Sequence, residues 1–303
     1  MKQTKTSAYL LRALSNMHVG SGDNNYGIVD KQVQRDVITE FPTIHSSGLK
    51  GAFRELFESS LNPKAEKEET KKTNDELKEK IAYIFGSEKK DTKEEEQEQD
   101  AKNKKVKKFK AGNYHFFNAK LLAIPVRCNQ QPFYSATSKN LLTDFVEQLH
   151  LFNHSSAKKY EDAIKILNEI KVDASEPVHF TGATDLVLED YAAKAEKLVN
   201  DEHYKSLQEL LGERFALFAH ADLKRIIKDL PIIARNNLEN GESVNLWYEE
   251  VVPRESRFYF LIKYYQNGND KNLFEDEIEE HSNICQIGGN ASVGYGYSSI
   301  INL

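Results

Sequence analysis

The stretch Met17 to Phe57, MHVGSGDNNYGIVDKQVQRDVITEFPTIHSSGLKGAFRELF, constrains this chain more than any other. It holds a glycine-rich loop (Gly20, Ser21, Gly22), an isolated carboxylate closing a short apolar run (Asp30 after Ile28 and Val29), and a segment that reads as a helix start. Backbone N–H groups in a glycine-rich turn and at a helix N-terminus both attract anions. Lys50 and Arg54, four residues apart, share one helical face. These parts suit a phosphate-rich ligand, and a nucleic acid is the expected one.

The 303 residues are 39% hydrophobic, enough for a substantial core in one large domain or two smaller ones. No segment approaches the roughly 18–20 apolar residues of a membrane helix, and the N-terminus lacks a basic start before a long apolar run; a cytoplasmic protein with no membrane partner is expected. Cys128 and Cys285 have no CxxC spacing and only His281 stands near either, which argues against a disulfide framework or a zinc site. A net charge of −6 runs against phosphate binding, which needs clustered Lys and Arg. Most of the excess sits in one place, because Asp270 to Glu280 carries six acidic residues against Lys271. The remainder is nearly neutral and leaves room for a local basic groove.

Ser7 to Leu14 reads as a strand entering the core, with Leu10-Leu11 pointing to burial on both faces. Gly27 to Val33 and Asp36 to Ile38 read as extended pieces. A helix is expected from Leu49 to Leu61, with Ser46 or Ser47 as N-cap and Leu49, Phe53, Leu56 and Phe57 on its apolar face. From 63 to 110 the chain turns to Glu, Lys, Gln and Asp, a charged insertion that cannot repay its ordering entropy except in a helix around Leu77 to Phe85. Its Lys102 to Lys108 can meet phosphate, although a solvated insertion is the simpler reading. Tyr114 to Val126 is a strand; helical spacing covers Asn140 to His150, Ala157 to Ile170, Lys205 to Leu211 and Glu213 to Ile227; Pro177 to Leu188 is strand-like. The Asn240-Gly241 turn precedes Val244 to Val252 and Phe258 to Tyr265, read as the paired strands of a projecting hairpin. The chain closes with a polar helix (Asn272 to His281), a short strand (Ile284 to Ile287), a second glycine loop with Gly288, Gly289, Asn290 and Tyr295, and a last strand (Ser298 to Asn302).

No GxxxxGK[ST], HExxH, GxSxG or GxGxxG signature stands in the required context. Asp30 has two readings: it caps a turn, or it stands beside an RNA backbone, holding a divalent cation or orienting a 2′-hydroxyl, help worth roughly 10²–10⁴ in rate. His18 at the loop entry is either a second proton-transfer group or a loop hydrogen-bonder. Trp247-Tyr248-Glu249-Glu250 is either edge-strand packing or a wedge that carries Glu249 or Glu250 to a neighbouring subunit's site. The glycine loop at Gly288 is either a tight turn or a close approach to a ligand backbone, with Tyr295 offering a ring for stacking.

Four blocks in order, HVGSG…GIVDKQVQRD…FPTIHSSGLKGAFRELF, FFNAKLLAIPVR, LPIIARNNLENGESVNLWYEEVVP and IGGNASVGYGY, resemble the RAMP superfamily, and within it the repeated backbone subunit of type III-B CRISPR effector complexes, a ribonucleoprotein machinery of antiviral defence. The likeness spans nearly the whole chain and leaves only residues 63–110 unexplained.

This resemblance implies one α+β domain over residues 1–303: a modified ferredoxin-like (RNA-recognition-motif-like) core, a helical lid inserted at about 139–230, and a β-hairpin thumb at about 238–265. It implies as partners a guide CRISPR RNA, a complementary target RNA, further copies of the chain and other effector subunits. It implies metal-dependent endoribonuclease activity within the assembled complex, with Asp30 the cleavage-site Asp and ligand of a divalent Mg or Mn ion, and Lys50 and Arg54 on guide phosphates. Gly20, Ser21, Arg35, Ser46, Ser47, Gly288, Gly289, Asn290 and Tyr295 complete the expected RNA surface, His18 and Glu249 the expected catalytic set, and Trp247, Tyr248 and Glu250 the thumb. Gly48 departs from the hydroxyl residue that often precedes Leu-Lys-Gly in the family. Two alternatives stand: a non-catalytic RNA-binding scaffold, and a metal-independent guide-processing endoribonuclease using His18.

Overall fold

Leu10 and Leu11 are both fully buried, and that adjacency decides the architecture: a strand whose neighbouring side chains both avoid water must be covered on both faces. The computed structural model describes residues 3–23, 29–62, 68–87, 111–199, 201–266 and 272–303. The charge blocks at 88–110, like Gly27 and Ile28, lie outside the described residues.

The elements in order are β1 (Gln3–Ala13), β2 (Gly20–Asp23), β3 (Lys31–Val33), β4 (Thr43–Ile44), α1 (Ser46–Glu58), α2 (Glu68–Phe85), β5 (Tyr114–Phe116), β6 (Ala119–Val126), β7 (Tyr134–Thr137), α3 (Lys139–Leu151) and α4 (Ala157–Lys165). There follow β8 (Val178–His179), β9 (Val187–Leu188), β10 (Tyr191–Ala192), β11 (Lys194–Ala195), α5 (Glu202–Leu211), β12 (Phe215–Leu217), α6 (His220–Lys228), β13 (Ile232–Glu239), β14 (Glu242–Glu250), β15 (Arg257–Gln266), α7 (Leu273–Glu280), β16 (Ile284–Gln286) and β17 (Tyr297–Asn302).

The fold is mixed α and β, with seven α-helices among the described residues and one sheet of eleven strands. At its centre β1 lies antiparallel to β15 along Gln3 to Arg12 and antiparallel to β17 on its other side; β15 in turn pairs with β5 and β6. Alternation along β1 and β15 divides the interior. Tyr9, Leu11, Phe258 and Phe260 face a core shared with α1, α2 and α7. Ala8, Leu10, Tyr259 and Leu261 face a second core shared with α3, α4 and α5. In the first, the Phe53 ring of α1 packs edge-on to Phe274 of α7 at 4.9 Å and beside Phe260 of β15 at 5.7 Å. No described helix is long and apolar enough to cross a membrane. Cys285 is buried and Cys128 half-buried, both free; burial pushes the Cys285 thiol up to about 12.

Several expectations are corrected. Helix α1 starts at Ser46, so neither serine is its N-cap; His45 holds that place without a side-chain cap, and other elements supply acceptors, Asn118 Oδ1 for the Ser46 amide and Gln34 Oε1 for that of His45. Residues 213–227 are not one helix: Phe215–Leu217 is a buried strand parallel to β7, and only His220–Lys228 is helical. Asp36 to Ile38 form a turn rather than a strand, because the Asp36 carboxylate accepts from the Ile38 and Thr39 amides. The projecting hairpin is β13 with β14, turning at Asn240 and Gly241 with φ of 52° and 87°. Phe258 to Tyr264 is not its second strand, because the two-sided burial of β15 places it at the sheet's centre beside β1.

Truncation of Phe53 tests this core. Phe53→Ala removes a fully buried ring from between α1, α7 and β15 and is expected to cost about 3–5 kcal/mol in urea unfolding; a loss below 1 kcal/mol would show that α1 does not rest on this cluster.

Candidate functional site

The hairpin's root is where distant parts of the sequence meet. A four-stranded sheet of order β13-β14-β3-β2 joins it to the first glycine loop: Glu249 pairs with Lys31, and Lys31 with Asp23. The second glycine loop arrives from the other end of the chain, with the Gly289 amide donating to the His18 carbonyl at 2.9 Å. Gly288 must be glycine here, since φ is +92° and a Cβ would lie 2.5 Å from the His18 carbonyl oxygen.

Glu249 is the hub of this junction. Its carboxylate, 2% exposed, accepts from Asn290 Nδ2 at 2.9 and 3.0 Å and from Arg235 Nη1 at 3.1 Å. His18 Nδ1 donates to the Glu250 carbonyl at 2.8 Å, since a carbonyl can only accept, and Nε2 faces Glu249 Oε1 at 3.5 Å. Arg235 lies between rings, its guanidinium carbon 5.9 Å from the Trp247 centroid and 5.4 Å from that of Tyr295. Lys31 Nζ covers Trp247 from 5.6 Å, and the buried indole N–H has no partner among the described residues.

Glu250 faces another way. It accepts from the Val33 amide at 3.0 Å and from Arg35, whose guanidinium also reaches the carbonyls of Glu40 and Ile227 at 3.0 and 3.1 Å. Arg35 is therefore a clamp between the hairpin root, its own turn and α6, not the free phosphate ligand expected of it. Glu249 and Glu250, expected to reach outward, are both turned into the protein. His18 is buried, with Nδ1 hydrogen-bonded to the Glu250 carbonyl and Nε2 turned towards Glu249.

Asp30 and Tyr248 are exposed beside this junction. The Asp30 amide donates to the Tyr248 carbonyl at 3.1 Å, and Asp30 Oδ2 accepts the Tyr248 amide at 2.8 Å. One carboxylate oxygen thus fixes the side chain while the other has no hydrogen-bond partner among the described residues. Among the described residues no group of three or more His, Cys, Asp and Glu could hold a metal ion, and Asp30 is the one carboxylate at this point of the junction.

The start of α1 supplies the positive side. It has no side-chain cap and no acidic residue in its first turn, and the amides of Ser47 and Gly48 meet no acceptor among the described residues. Lys50 has no carboxylate partner there; burial first, and then the like charge of Arg54, hold its ammonium below the usual Lys range, so an incoming anion would relieve it. Arg54 is paired with Glu58 at 2.7 Å. Gln34 fastens this helix start to the glycine loop, taking the His45 amide at 2.9 Å and giving its own amide to the Gly20 carbonyl at 3.1 Å. Ser21 lies on the same loop edge, its hydroxyl on the Gln32 carbonyl at 3.2 Å.

The sequence model of the RAMP superfamily matches residues 10–299. The chain belongs to the RAMP superfamily. This RAMP chain is 29% identical over 314 aligned positions to the CRISPR system Cmr endoribonuclease Cmr4 of Pyrococcus furiosus, covering 97% of the present chain and 95% of that one. It is similar in fold to a chain of the cryo-EM structure of the type III-B Cmr-beta bound to cognate target RNA (TM-score 0.68, 17% identity, 98% and 96% of the two chains). It is likewise similar to oligomeric Cmr4 from Pyrococcus furiosus (TM-score 0.60, 21% identity, 99% and 98%).

Arg235 and Gln34, on which the RAMP chain's junction rests, carry no signal of their own; each is recognisable only from its partners across more than ten residues of sequence. Glu249→Ala would strand Arg235 and Asn290. It is expected to cost about 1.5–3 kcal/mol, with hydrogen exchange at the root of β13 and β14 faster by roughly tenfold or more; unchanged exchange there would mean that the hairpin does not depend on this carboxylate.

Proposed function

We propose that this chain is a guide-RNA-binding backbone subunit of a type III-B CRISPR effector, acting in the cytoplasm beside further copies of itself and other subunits, and that it cuts complementary target RNA at Asp30. The observation that carries the reading is the exposed Asp30 carboxylate, fixed by Tyr248 at the foot of a projecting hairpin and linked through β3 and Gln34 to an uncapped helix start with Lys50, which has no carboxylate partner among the described residues. The names of the relatives support it: one is an endoribonuclease of a Cmr system, another is part of a Cmr complex bound to target RNA.

The core reads as ferredoxin-like. Its order β17-β1-β15-β6, antiparallel throughout, with α1 between β1 and β6 and α7 between β15 and β17, supports that reading. Residues 139–230, which add α3 to α6, read as the lid, and β13 with β14 as the thumb.

Guide phosphates would lie at the amides of Ser47 and Gly48 and at Lys50, where helix N-terminus and ammonium act together. The free oxygen of Asp30 would orient and deprotonate a 2′-hydroxyl of the paired strand, a step worth about 10²–10⁴ in rate. Metal dependence is a separate proposal. The described residues do not cage an ion, so no step is assigned to one, and cutting with and without chelator decides it. The guide-processing alternative draws no support from His18, which is buried with Nδ1 on the Glu250 carbonyl.

The scaffold reading has one observation in its favour, the Asp30–Tyr248 hydrogen bond. Asp30→Asn separates the two, since an amide oxygen still accepts from the Tyr248 amide while the charge is lost. The expected result is loss of target cutting by a hundredfold or more with guide binding and assembly intact; wild-type cutting by that variant contradicts the assignment. Lys50→Ala is expected to weaken guide binding across sequences and to lower the log–log salt slope by about 0.7; an unchanged slope removes Lys50 from the phosphate contacts.

A further inference from the structure

Arg35, Arg235 and Lys31 meet at the hairpin root and are used differently. Glu250 holds Arg35, and Glu249 holds Arg235. Lys31 is exposed and has no carboxylate partner among the described residues. Its place is fixed all the same. Lys31 on β3 stands level with Glu249 on β14, so its side chain shares a face with Trp247, two residues back along that strand. Its Nζ lies 5.6 Å from the centroid of the Trp247 ring, and Arg235, level with Trp247 on β13, comes to 5.9 Å of the same centroid. The electron-rich ring attracts the ammonium through its quadrupole and holds it without neutralising it.

Asp30 precedes Lys31, and its Oδ2 accepts the Tyr248 amide at 2.8 Å. The two opposite charges therefore stand on adjacent residues of β14, the ammonium at Trp247 and the carboxylate at Tyr248, each fixed by the hairpin rather than by the other. A phosphodiester brought to Asp30 is repelled by its carboxylate, and the repulsion grows as charge builds on the phosphoryl oxygens during attack. A cation held one residue away offsets both. A cation–π contact at an exposed site is weak beside a charge-assisted hydrogen bond to phosphate, so the ammonium can leave the ring for the substrate.

We propose that Lys31 is a catalytic residue of the cutting step, its ammonium lying against the non-bridging oxygens of the scissile phosphate and stabilising the charge that develops there. The inference rests on the reading of Asp30 as the cutting residue and adds the group that meets the charge. In the step the 2′-hydroxyl gives its proton to Asp30, its oxygen bonds to phosphorus, and the bond from phosphorus to the 5′-oxygen breaks. The departing oxygen takes a proton from water, and the hydroxide left takes the proton on Asp30. Lys31 keeps its own proton throughout. The products are a 2′,3′-cyclic phosphate and a 5′-hydroxyl end.

Single-turnover cutting by the protein purified with its guide, at saturating target RNA and in the buffer in which the wild type cuts, tests it. Lys31→Met keeps an unbranched apolar stem over Trp247 and removes the charge. It is expected to slow cutting by about a hundredfold with target binding unchanged, and Lys31→Arg, which keeps the charge, to cut within about tenfold of the wild type. Targets carrying sulfur in place of one or the other non-bridging oxygen at the cut site separate contact from support. The wild type should cut one of the two sulfur forms more slowly than the other, and Lys31→Met should lose that preference. Cutting by Lys31→Met at the wild-type rate, a loss confined to target binding, or a sulfur preference of equal size in that variant overturns the proposal and leaves the assignment of Asp30 standing. Wild-type cutting by Asp30→Asn overturns both.

Discussion

Two adjacent buried carboxylates hold this protein's working end together. A buried carboxylate is costly unless it is paired and hydrogen-bonded, so it dictates what must surround it. Glu249 gathers Arg235, Asn290 and His18; Glu250, one residue on and facing the opposite way as strand geometry requires, gathers Arg35 and the Val33 amide. Three stretches far apart in sequence, around His18 to Arg35, Arg235 to Glu250 and Gly288 to Tyr295, are thereby bound into one junction. The hairpin leaves the body at an angle set by this junction rather than by burial of its own side chains, most of which are exposed.

The large sheet positions that junction. With both faces of β1 and β15 covered, their ends are fixed, and the segments that leave them carry the chemistry: the loop after β1 holds His18 and Gly20, the segment before β15 descends from the hairpin, and the loop before β17 holds Gly288 to Gly296. Asp30 sits where these meet and depends on them through a single backbone partner, Tyr248. The start of α1 is left without a cap of its own because the serines that would cap it lie inside the helix and His45 holds the cap position. A local stability device is missing there, and an anion can take its place.

Much of this was legible in the sequence where local chemistry decides the outcome. Leu10-Leu11 announced a strand covered on both sides, the spacing of Leu49, Phe53 and Phe57 announced the apolar face of α1, and Asn240-Gly241 announced a turn. What was not legible depends on partners distant in the chain. Phe215 to Leu217 has helical spacing on either side but pairs with β7, and Phe258 to Tyr264 looks like a hairpin strand until its two-sided burial places it beside β1. Glu249 and Arg35 looked like free charges for the same reason, since Arg235, Asn290 and the Ile227 carbonyl are invisible from their surroundings in sequence. Asp30 stood out as an isolated carboxylate beside a glycine loop, and only the structure shows that one of its oxygens is held by the Tyr248 amide.

The central claim is that copies of this chain hold one RNA and cut its complement at intervals. Its most direct measurement is to purify the protein with its bound nucleic acid, sequence that nucleic acid, and give the complex a labelled RNA complementary to it. The account predicts bound RNA of defined sequence and a ladder of regularly spaced cuts in the complement. Bound nucleic acid of random sequence, or a complement left whole, would contradict it.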